Sequence, residues 1–415
     1  MASGAAFHDP RGRGFRSRAT VEDVLALIER RVGRVGTEEI SLAEASGRVL
    51  AVDAVAEGPV PPFDRAAMDG YAVRGEETFG AEAYNPIAFA VIGRVRPGRA
   101  SGLVVEAGQA AEIATGAALP AGADAVVRFE GTEGAGSIVR VVEPTPPGRH
   151  VGRAGEDIAA GAVVLAAGRV LRPQDLGALS AIGCGRPTVV RRPRITLLVT
   201  GDELAPAGST PRGDQIADAN SPMLAALVAR DGGRCRVAGP LADDRATIRA
   251  ALRAAASESD AVLVSGGSST GPEDHAPGLV AELGELAIHG VAIRPASPTG
   301  LGFVNGVPVV LLPGNPVSSL CAYDFFAGPI VRKLGGRPAA WPYRPAPSPL
   351  AAKLASVVGR VDYARVAVAA GRVEPLAIGG ASILTSTTRA DGFVVIPADS
   401  EGYPASAVVT VWLYD

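Results

Sequence analysis

The sequence is poor in residues that serve as nucleophiles and soft metal ligands. Its 415 residues include three cysteines, Cys184, Cys235 and Cys321, and four histidines. The cysteines are far apart and odd in number, so their spacing argues against a disulfide framework and a thiolate metal cluster. The histidines show neither an HExxH motif nor paired spacing, which argues against a zinc site.

Lysine is nearly absent as well. Lys333 and Lys353 are the two lysines of the chain, so nearly all of the 40 basic residues are arginines. This composition disfavours Schiff-base chemistry and favours planar recognition of oxyanions by guanidinium groups. The basic residues are scattered among 43 acidic ones, and the net charge is −3. The sequence therefore gives no reason to expect a nucleic-acid partner.

Long apolar segments are also lacking. No run approaches the length needed to span a bilayer, so we expect no membrane partner. Residues 1–18 contain basic residues but no apolar core of a signal peptide, which predicts a disordered leader and a cytoplasmic location. The apolar fraction of 47% and the charged fraction of 20% are typical of a globular protein. A chain of this length predicts two to four domains.

The N-terminal part, residues 19–175, combines helical and β-like patterns. Thr20 precedes apolar residues at helical spacing and is a predicted N-cap. The sequence from Ser41 to Glu44 has a capping-box pattern and predicts a second helix through Val49. Short apolar runs separated by Gly and Pro turns follow, and they predict an antiparallel β module.

Strands and helices alternate in residues 176–337. This pattern predicts a central three-layer α/β domain with a mostly parallel sheet. Residues 338–349 are rich in proline and are predicted to form a linker. Residues 350–415 contain β-like runs and predict a small C-terminal β-barrel or sandwich. The overall fold class is thus multi-domain α/β plus β.

Two glycine-containing turns carry the strongest functional signal. One is SGGSSTGPED, from Ser265 to Asp274, and the other is PVVLLPGNPVSS, from Pro308 to Ser319. Each follows a predicted strand and leads into a predicted helix, where backbone N–H groups converge on an anion. Two such turns in one domain predict a pocket for a phosphorylated ligand. Neither matches the Walker A or GxGxxG pattern, so nucleoside triphosphatase and dinucleotide-binding functions rank low.

Five acidic residues follow predicted strand ends: Asp202, Glu203, Asp243, Asp244 and Asp274. Each carboxylate could cap a helix, and Asp243 and Asp244 fit that role best. Because the carboxyl ends of parallel strands meet at one edge of a sheet, the group as a whole favours a Mg²⁺ site beside a phosphate.

An extended loop of the N-terminal part carries Asp64 and Asp69 beside aromatic residues. These carboxylates could bind a divalent metal or hydrogen-bond to a pterin-like ring. The local sequence alone favours the simpler alternative, an Asx turn before Gly70.

The motifs together resemble those of the molybdopterin molybdenumtransferase family, which includes the E domain of gephyrin. They are PPFDRAAMDGYAV, ATGAALPAGADAVV, GEDI, VTGDEL, IADAN, SGGSSTGPED and LPGNPVS, and they occur in the family's order over residues 20 to 415. The resemblance implies four subdomains per chain, an elongated homodimer, and a central domain similar to molybdopterin adenylyltransferases.

The resemblance also implies a reaction. Members of the family take adenylylated molybdopterin and molybdate and form molybdenum cofactor and AMP, with a divalent metal that is usually Mg²⁺. Transient contacts with a molybdopterin adenylyltransferase and with molybdoenzymes are expected. Two alternatives remain open at this point. One is a non-catalytic, gephyrin-like molybdopterin-binding scaffold, and the other is a molybdopterin adenylyltransferase, against which the N-terminal β module argues.

The resemblance assigns roles to individual residues. The expected catalytic residues are Asp69, Thr115, Asp157, Glu203 and Asp274, with the first three approaching the pocket across the dimer. The expected metal ligands are Asp243, Asp244 and Asp274. The expected substrate-binding residues are Asn220, Ser265, Gly266, Gly267, Ser268, Arg294, Ser297, Pro313, Gly314, Asn315, Pro316, Arg365 and Ser382.

The sequence departs from the family at the residues expected to hold molybdate. A KPGKP-like motif is usual where this chain has Arg294-Pro-Ala-Ser-Pro298. One family lysine is therefore replaced by arginine and the other by Ser297. A buried dianion needs positive partners, so we expect Arg294 to be the principal cation for molybdate, with Arg365 and Ser382 contributing.

Overall fold

The computed structural model describes residues 18–134, 136–269, 271 and 274–414. The predicted leader lies outside the described residues, except for Arg18. The chain divides into two compact units. The first contains the residues up to Glu38, Gly47–Val49 and the chain from Val189 onward, and the second contains Glu39–Ser46 and Leu50–Thr188.

The α-helices of the described residues are α1 (Val21–Arg31), α2 (Pro173–Ala181), α3 (Asn220–Arg230), α4 (Arg245–Glu258), α5 (His275–Leu283), α6 (Pro316–Ala322), α7 (Gly328–Leu334) and α8 (Thr385–Thr388). Helix α1 begins as predicted, because Thr20 Oγ1 accepts a hydrogen bond from the backbone N–H of Asp23 at 3.1 Å. The helix predicted after the second glycine turn consists of α6 and α7, joined by a buried π-helical turn at Tyr323–Ala327.

The second predicted helix is wrong. Only a 3₁₀ turn, Leu42–Glu44, forms there. The Ser41 hydroxyl donates to Glu44 Oε2 at 3.0 Å and makes no cap hydrogen bond to the backbone. The capping-box residues thus bond to each other through their side chains, and the first turn has no cap to extend it.

The second unit is built on a six-stranded sheet. Its strands are β1 (Gly70–Val73), β2 (Ile87–Val95), β3 (Gln109–Ile113), β4 (Ala125–Arg128), β5 (Thr132–Glu133) and β6 (Ile138–Val141). The strand order is β4-β1-β3-β2-β6-β5. All neighbours are antiparallel, as predicted, except β2 and β3, which are parallel. The loop between β2 and β3 is long enough for the crossover that a parallel pair requires.

The first unit contains the predicted three-layer α/β domain. Its strands are β7 (Arg194–Thr200), β8 (Arg234–Leu241), β9 (Ala261–Ser265), β10 (Glu285–His289), β11 (Gly300–Val304) and β12 (Val307–Leu312). The order is β8-β7-β9-β12-β11-β10, with the first four strands parallel and the last two antiparallel to their neighbours. One apolar core joins a sheet face to α1, α3, α6 and α7, and a second joins the other face to α4 and α5.

The C-terminal β domain also belongs to the first unit and is built on a barrel-like sheet. Its strands are β13 (Arg344–Pro349), β14 (Val361–Ala369), β15 (Arg372–Ala377), β16 (Gly392–Ile396) and β17 (Val408–Leu413). The short strand Ile293–Arg294 pairs with β14, followed in order by β16, β17 and β13, and β15 pairs with β14. Half of the predicted linker is therefore strand β13. It lies at the end of this path, where proline is tolerated because one edge of the strand needs no donor.

The remaining short strands are Thr37–Glu39, Ala54–Val55, Arg65–Ala66, Val151–Gly152, Val163–Leu165, Thr188–Val190, Leu204–Ala205, Ile216–Ala217, Leu354–Ala355 and Gly402–Tyr403. Among the described residues, no helix has the length and apolar character needed to cross a membrane.

Candidate functional site

A cavity of about 450 Å³ lies where the parallel strands of the central sheet end. We call it the sheet-edge cavity. Its lining residues are Thr200, Gly201, Glu203, Leu204, Ile216, Asp218, Ala219, Asn220, Asp243, Ser265, Gly266, Gly267, Gly314, Asn315, Pro316 and Ser382. The carboxyl edge of a parallel sheet is where α/β proteins bind ligands. The structure thus brings together many of the residues singled out in the sequence.

The first glycine loop, Ser265–Gly267, follows β9 and lies against the end of β7. Gly266 has φ of +97°, and a Cβ added there would lie 2.5 Å from the carbonyl oxygen of Thr200. Gly267 has φ of +55°, and its added Cβ would lie 3.2 Å from Thr200 Oγ1. Both the backbone conformation and the close approach therefore require glycine at position 266.

The second glycine loop, Gly314–Pro316, follows β12 and contacts the first. A Cβ added to Gly314 would lie 3.7 Å from the Cα of Gly266. Helix α6 begins at Pro316, where proline fits the first helical position because its missing N–H would have no intrahelical partner. The two loops form adjoining parts of one cavity wall.

The side chain of Asn220 connects the two glycine loops. Its Nδ2 donates to Ser265 Oγ at 3.0 Å and to the carbonyl oxygen of Gly314 at 2.7 Å. Its Oδ1 is buried and has no hydrogen-bond partner within the described part of the chain. Asn220 is therefore held by two donated bonds and presents an unpaired acceptor at the cavity.

Helix α3 begins at Asn220 and so positions this side chain. Asp218 Oδ1 accepts from the backbone N–H groups of Asn220 at 3.0 Å and Ser221 at 2.9 Å. The Asp218 carboxylate thus satisfies two backbone donors at the start of the helix that have no intrahelical partner. Asp218 lines the cavity too, although it was named in the sequence only as part of IADAN.

Three acidic residues line the sheet-edge cavity. Asp218 is bonded to the start of α3, and the other two, Glu203 and Asp243, form what we call the acidic wall. The Asp243 N–H donates to Asp202 Oδ1 at 3.1 Å, and the Asp202 N–H lies 3.4 Å from Asp243 Oδ2. Burial raises the pKa of Asp243, and the charges of Asp202 and Glu203 raise it further, while the backbone hydrogen bond from Asp202 lowers it. This wall favours a positive partner.

The acidic wall fits a hard divalent cation that also contacts phosphate. No group of three or more His, Cys, Asp or Glu side chains among the described residues is arranged to hold a metal by itself. Asp243 Oδ1, however, is buried without a hydrogen-bond partner in the described chain. Mg²⁺ commonly uses one or two carboxylates together with substrate phosphates, so the donor set suits Mg²⁺ with a phosphorylated substrate.

The other two predicted metal ligands have local partners. Asp244 is the N-cap of α4, and its two oxygens accept from the N–H groups of Ala246 and Thr247, each at 3.0 Å. Asp274 precedes α5, and its Oδ2 accepts from the Gly271 N–H at 2.7 Å. Neither lines the sheet-edge cavity, and their metal roles stay predictions.

Of the predicted loop residues, Ser268 and Pro313 lie beside the cavity rather than in its lining. Both are buried. The carbonyl oxygen of Ser268 lies 2.9 Å from His289 Nε2. They border the two glycine loops in the chain.

Arg294 already has a carboxylate partner. Its Nη2 lies 2.5 Å from Asp362 Oδ2, and Asp362 has no exposed surface. The same oxygen accepts from Ser356 Oγ at 2.6 Å. Ser297 Oγ donates to the Val291 carbonyl oxygen at 3.2 Å. Neither Arg294 nor Ser297 lines the sheet-edge cavity.

Arg365 lies on β14 without exposed surface and has no carboxylate partner among the described residues. Its Nε donates to Ser386 Oγ at 3.0 Å, its Nη2 donates to the Gly379 carbonyl oxygen, and its Nη1 has no partner in that part of the chain. Burial lowers its pKa. The segment between Gly379 and Ser386 carries Ser382, which lines the cavity. Arg365 therefore holds this segment in place.

The second unit has a cavity of its own, of about 430 Å³, beside Asp69. Asp69 Oδ1 accepts from Thr115 N at 2.6 Å and Thr115 Oγ1 at 2.9 Å, and these bonds lower the pKa of Asp69. Asp157 is exposed and does not line this Asp69 cavity. Residues that sequence reasoning missed complete the lining: Arg94, Arg96, Pro97, Arg99, Glu112, Ile113, Ala114 and Phe129. The arginine-rich sequence after β2 was the available signal.

Comparisons with known proteins identify the family. Residues 19–183 match the model of the MoeA N-terminal region (domain I and II), residues 196–333 that of the probable molybdopterin binding domain, and residues 347–414 that of the MoeA C-terminal region (domain IV). Molybdopterin molybdenumtransferase 2 of Mycobacterium tuberculosis is 39% identical over 383 residues, covering 90% of this chain and 94% of the relative. The chain belongs to the molybdopterin molybdenumtransferase family.

Other molybdopterin molybdenumtransferase relatives agree. The molybdopterin molybdenumtransferase of Haemophilus influenzae is 31% identical over 382 residues, covering 90% of this chain and 93% of the relative. The crystal structure of the molybdopterin biosynthesis MoeA protein from Pyrococcus horikoshii has a TM-score of 0.85 and 34% identity, covering 96% of this chain and 99% of that one. These matches span both units, so the family assignment holds for the sheet-edge cavity and the Asp69 cavity alike.

Proposed function

We propose that the chain inserts molybdate into adenylylated molybdopterin, releasing AMP and forming molybdenum cofactor. The observation that carries the proposal is the sheet-edge cavity, where Asn220 joins two glycine loops at the ends of parallel strands. Membership of the molybdenumtransferase family supports the same reaction. This activity makes the chain a transferase of molybdenum cofactor biosynthesis.

We propose that the glycine loops bind the phosphate groups of adenylylated molybdopterin. The left-handed backbone at Gly266 and Gly267 lets the first glycine loop lie close to the end of β7, beside Gly314 of the second loop. Small residues at such turns leave room for a phosphate to approach the backbone. Among the described residues, the cavity wall holds no arginine or lysine. Neutral amide donors therefore bind the phosphate, and the positive charge that it needs comes from a metal.

Mg²⁺ fits this role, and we propose that Asp243 and Glu203 hold it, with Asp274 and Asp244 as the further predicted ligands. When bound, Mg²⁺ neutralises charge on the pyrophosphate oxygens and on the AMP that leaves. These carboxylates would hold the metal at the sheet-edge cavity, where the buried Asp243 Oδ1 has no hydrogen-bond partner in the described chain.

Molybdate is a dianion, so its binding needs positive or hydrogen-bond-donating partners. We propose that Arg365 and Ser382 contribute most of the binding, with Arg294 and Ser297 nearby. Arg365 has an unpaired buried N–H group, and Ser382 lines the cavity. Arg294 forms an ion pair with the buried carboxylate of Asp362, which compensates its charge. This assignment shifts the main cation from Arg294, which the sequence favoured, to Arg365.

One incubation tests the reaction. Purified protein with adenylylated molybdopterin, Mg²⁺ and molybdate should release AMP, and omitting molybdate should suppress the release. Substrate binding without AMP release would support the scaffold alternative. Pyrophosphate release from ATP with free molybdopterin would support the adenylyltransferase alternative. Either outcome would contradict the proposed reaction.

We also propose a homodimer in which Asp69, Thr115 and Asp157 of the second unit take part in the reaction. The dimer and the catalytic roles rest on the family resemblance, and the hydrogen bonds of Thr115 fix the Asp69 carboxylate. An Asp69→Asn chain mixed with an Asp274→Asn chain should recover part of the activity if sites are shared between chains. Unrecovered activity in proven heterodimers would contradict sharing.

A further inference from the structure

A small cavity of about 110 Å³, distinct from the sheet-edge cavity, is lined by four arginines of the first unit. They are Arg48, Arg191, Arg192 and Arg337, and the remaining lining residues are Gly47, Val49, Val190, Pro193, Ala229, Gly232 and Gly335. We call it the arginine cavity. Within the described part of the chain, its wall contains no acidic residue. Four guanidinium groups at one small space need negative charge nearby.

Local carboxylates account for two of these arginines. Arg48 is buried and pairs with Glu38, while another of its bonds goes to the carbonyl oxygen of Val190 at 2.9 Å. Arg191 makes a bidentate pair with Asp260, at 2.7 Å and 2.8 Å. These two guanidinium groups are fixed in place by partners outside the cavity wall.

The positive charges of the other two arginines, Arg337 and Arg192, are not compensated in this way by a carboxylate among the described residues. Arg337 donates to the carbonyl oxygens of Gly47 at 2.6 Å and Arg230 at 3.4 Å. In the described chain, neither Arg337 nor Arg192 has a carboxylate within ion-pair distance. Burial lowers the pKa of Arg337, and the positive charges of Arg192 and Arg332 lower it further. The nearest acid with an opposing effect, Asp231, already pairs with Arg332 at 2.7 Å.

The size of the cavity limits what could supply the missing charge. A water molecule occupies roughly 30 Å³ in the liquid. A space of about 110 Å³ therefore admits an ion of a few heavy atoms and is too small to enclose a whole nucleotide. Arginine forks match the paired oxygens of tetrahedral oxyanions. We propose that the arginine cavity is a binding site for a free tetrahedral oxyanion, such as sulfate or phosphate, held chiefly by Arg337 and Arg192.

Selenate is a suitable probe, because it has the shape and charge of sulfate and selenium scatters anomalously. A selenate soak of crystals should place an anomalous peak between Arg337 and Arg192. Calorimetric titration with sulfate in a chloride buffer of constant ionic strength should show a site that is lost, or weakened about tenfold or more, in Arg337→Gln. Arg253→Gln removes an exposed arginine of α4 and serves as the matched control, with unchanged binding expected.

Competition separates the sources of the anion. Inorganic phosphate and molybdate should displace selenate from the arginine cavity, whereas AMP should not, because its nucleoside exceeds the volume. If the selenate soak gave no anomalous peak in this cavity, the proposal would be overturned. Sulfate binding equal in wild type, Arg192→Gln and Arg337→Gln would do so as well. Displacement by AMP would refute the assignment to a free oxyanion. None of these outcomes depends on the transferase reaction.

Discussion

Gly266 determines how closely the first glycine loop lies against β7. Its φ of +97° and the 2.5 Å between an added Cβ and the Thr200 carbonyl oxygen leave no room for a side chain. We predict that Gly266→Ala moves the loop and lowers AMP release by about tenfold or more, since small displacements of binding groups are costly. Gly208→Ala is the control, because Gly208 also has positive φ but its added Cβ meets no atom within 4 Å. Equal rates in the two variants would contradict this.

Asp243 and Asp244 are adjacent in sequence but have different predicted roles. Asp243 lines the cavity with a free buried oxygen, whereas both oxygens of Asp244 cap α4. We expect Asp243→Asn to raise the Mg²⁺ concentration for half-maximal AMP release by about tenfold or more. Asp244→Ala should leave that concentration unchanged and lower the free energy of unfolding by about 1 kcal/mol. A larger Mg²⁺ effect for Asp244→Ala would reverse the assignment.

We predict that substitutions of Arg365 and Arg294 affect the molybdate requirement differently. Arg365 has an unpaired buried N–H group, and Arg294 is paired with Asp362. Arg365→Gln should raise the molybdate concentration for half-maximal AMP release by about tenfold. Arg294→Gln should raise it less and mainly lower the melting temperature, because it removes a partner from buried Asp362. Binding of adenylylated molybdopterin checks that both variants are folded. A stronger molybdate effect at Arg294 would restore the assignment favoured by sequence.

At the scale of elements, the hydrogen bonds at the start of α2 predict how the stability of the protein changes at low pH. Hydrogen bonds from Arg169 and Arg172 lower the pKa of buried Asp175. A lowered pKa means that the stabilisation is complete above about pH 4 and is lost as the pH falls through the folded-state pKa. Asp175→Asn should cost about 2 kcal/mol of unfolding free energy at neutral pH, and the difference from wild type should shrink in acid.

Urea unfolding across that pH range measures this difference. Asp214→Asn changes an exposed acid and should show no such loss. A difference between Asp175→Asn and wild type that stayed constant into acid would contradict the role of the Arg169 and Arg172 bonds.

Elements were predictable where the local pattern determines them. The Thr20 cap and the parallel strands β7, β8, β9 and β12 followed from apolar periodicity and turn residues. Strand β11 was not predicted, and it contains Gly300 and Gly302, a residue type that is unfavourable inside strands. In the sheet, an added Cβ at Gly302 would lie 2.4 Å from the Glu285 carbonyl oxygen. Its glycines permit the close pairing of β10 and β11, which only the tertiary structure reveals.

In the candidate site, too, local motifs were predictable from the sequence and long-range contacts were not. Motif residues predicted which loops form the sheet-edge cavity, because strand ends meet at one sheet edge. Side-chain pairing was not predictable, since partners are distant in sequence. Asn220 bonds to residues 45 and 94 positions away, and Arg294 bonds to Asp362, 68 positions away. The sequence therefore did not reveal the Asp362 partner of Arg294 or the bridging role of Asn220, and the molybdate-binding role of Arg294 stays a prediction.

At the scale of the whole molecule, each unit contains a cavity lined by residues that the family resemblance singled out. In the first unit, the sheet-edge cavity combines glycine loops with an acidic wall. In the second unit, the Asp69 cavity combines an acid held by Thr115 with three arginines. The family models match segments in both units. The proposed reaction therefore depends on residues from the two units, with the phosphate chemistry assigned to the first.

The most direct measurement is the rate of molybdate-dependent AMP release by Asn220→Asp. This isosteric change replaces the amide that donates to Ser265 Oγ and the Gly314 carbonyl oxygen with an acceptor. The account predicts a rate lower by about a hundredfold, because two hydrogen bonds between the loops become unfavourable. Asn85→Asp, which loses one exposed bond to the Gly80 carbonyl oxygen, should keep the wild-type rate. Wild-type activity in Asn220→Asp would contradict the placement of the reaction in the sheet-edge cavity.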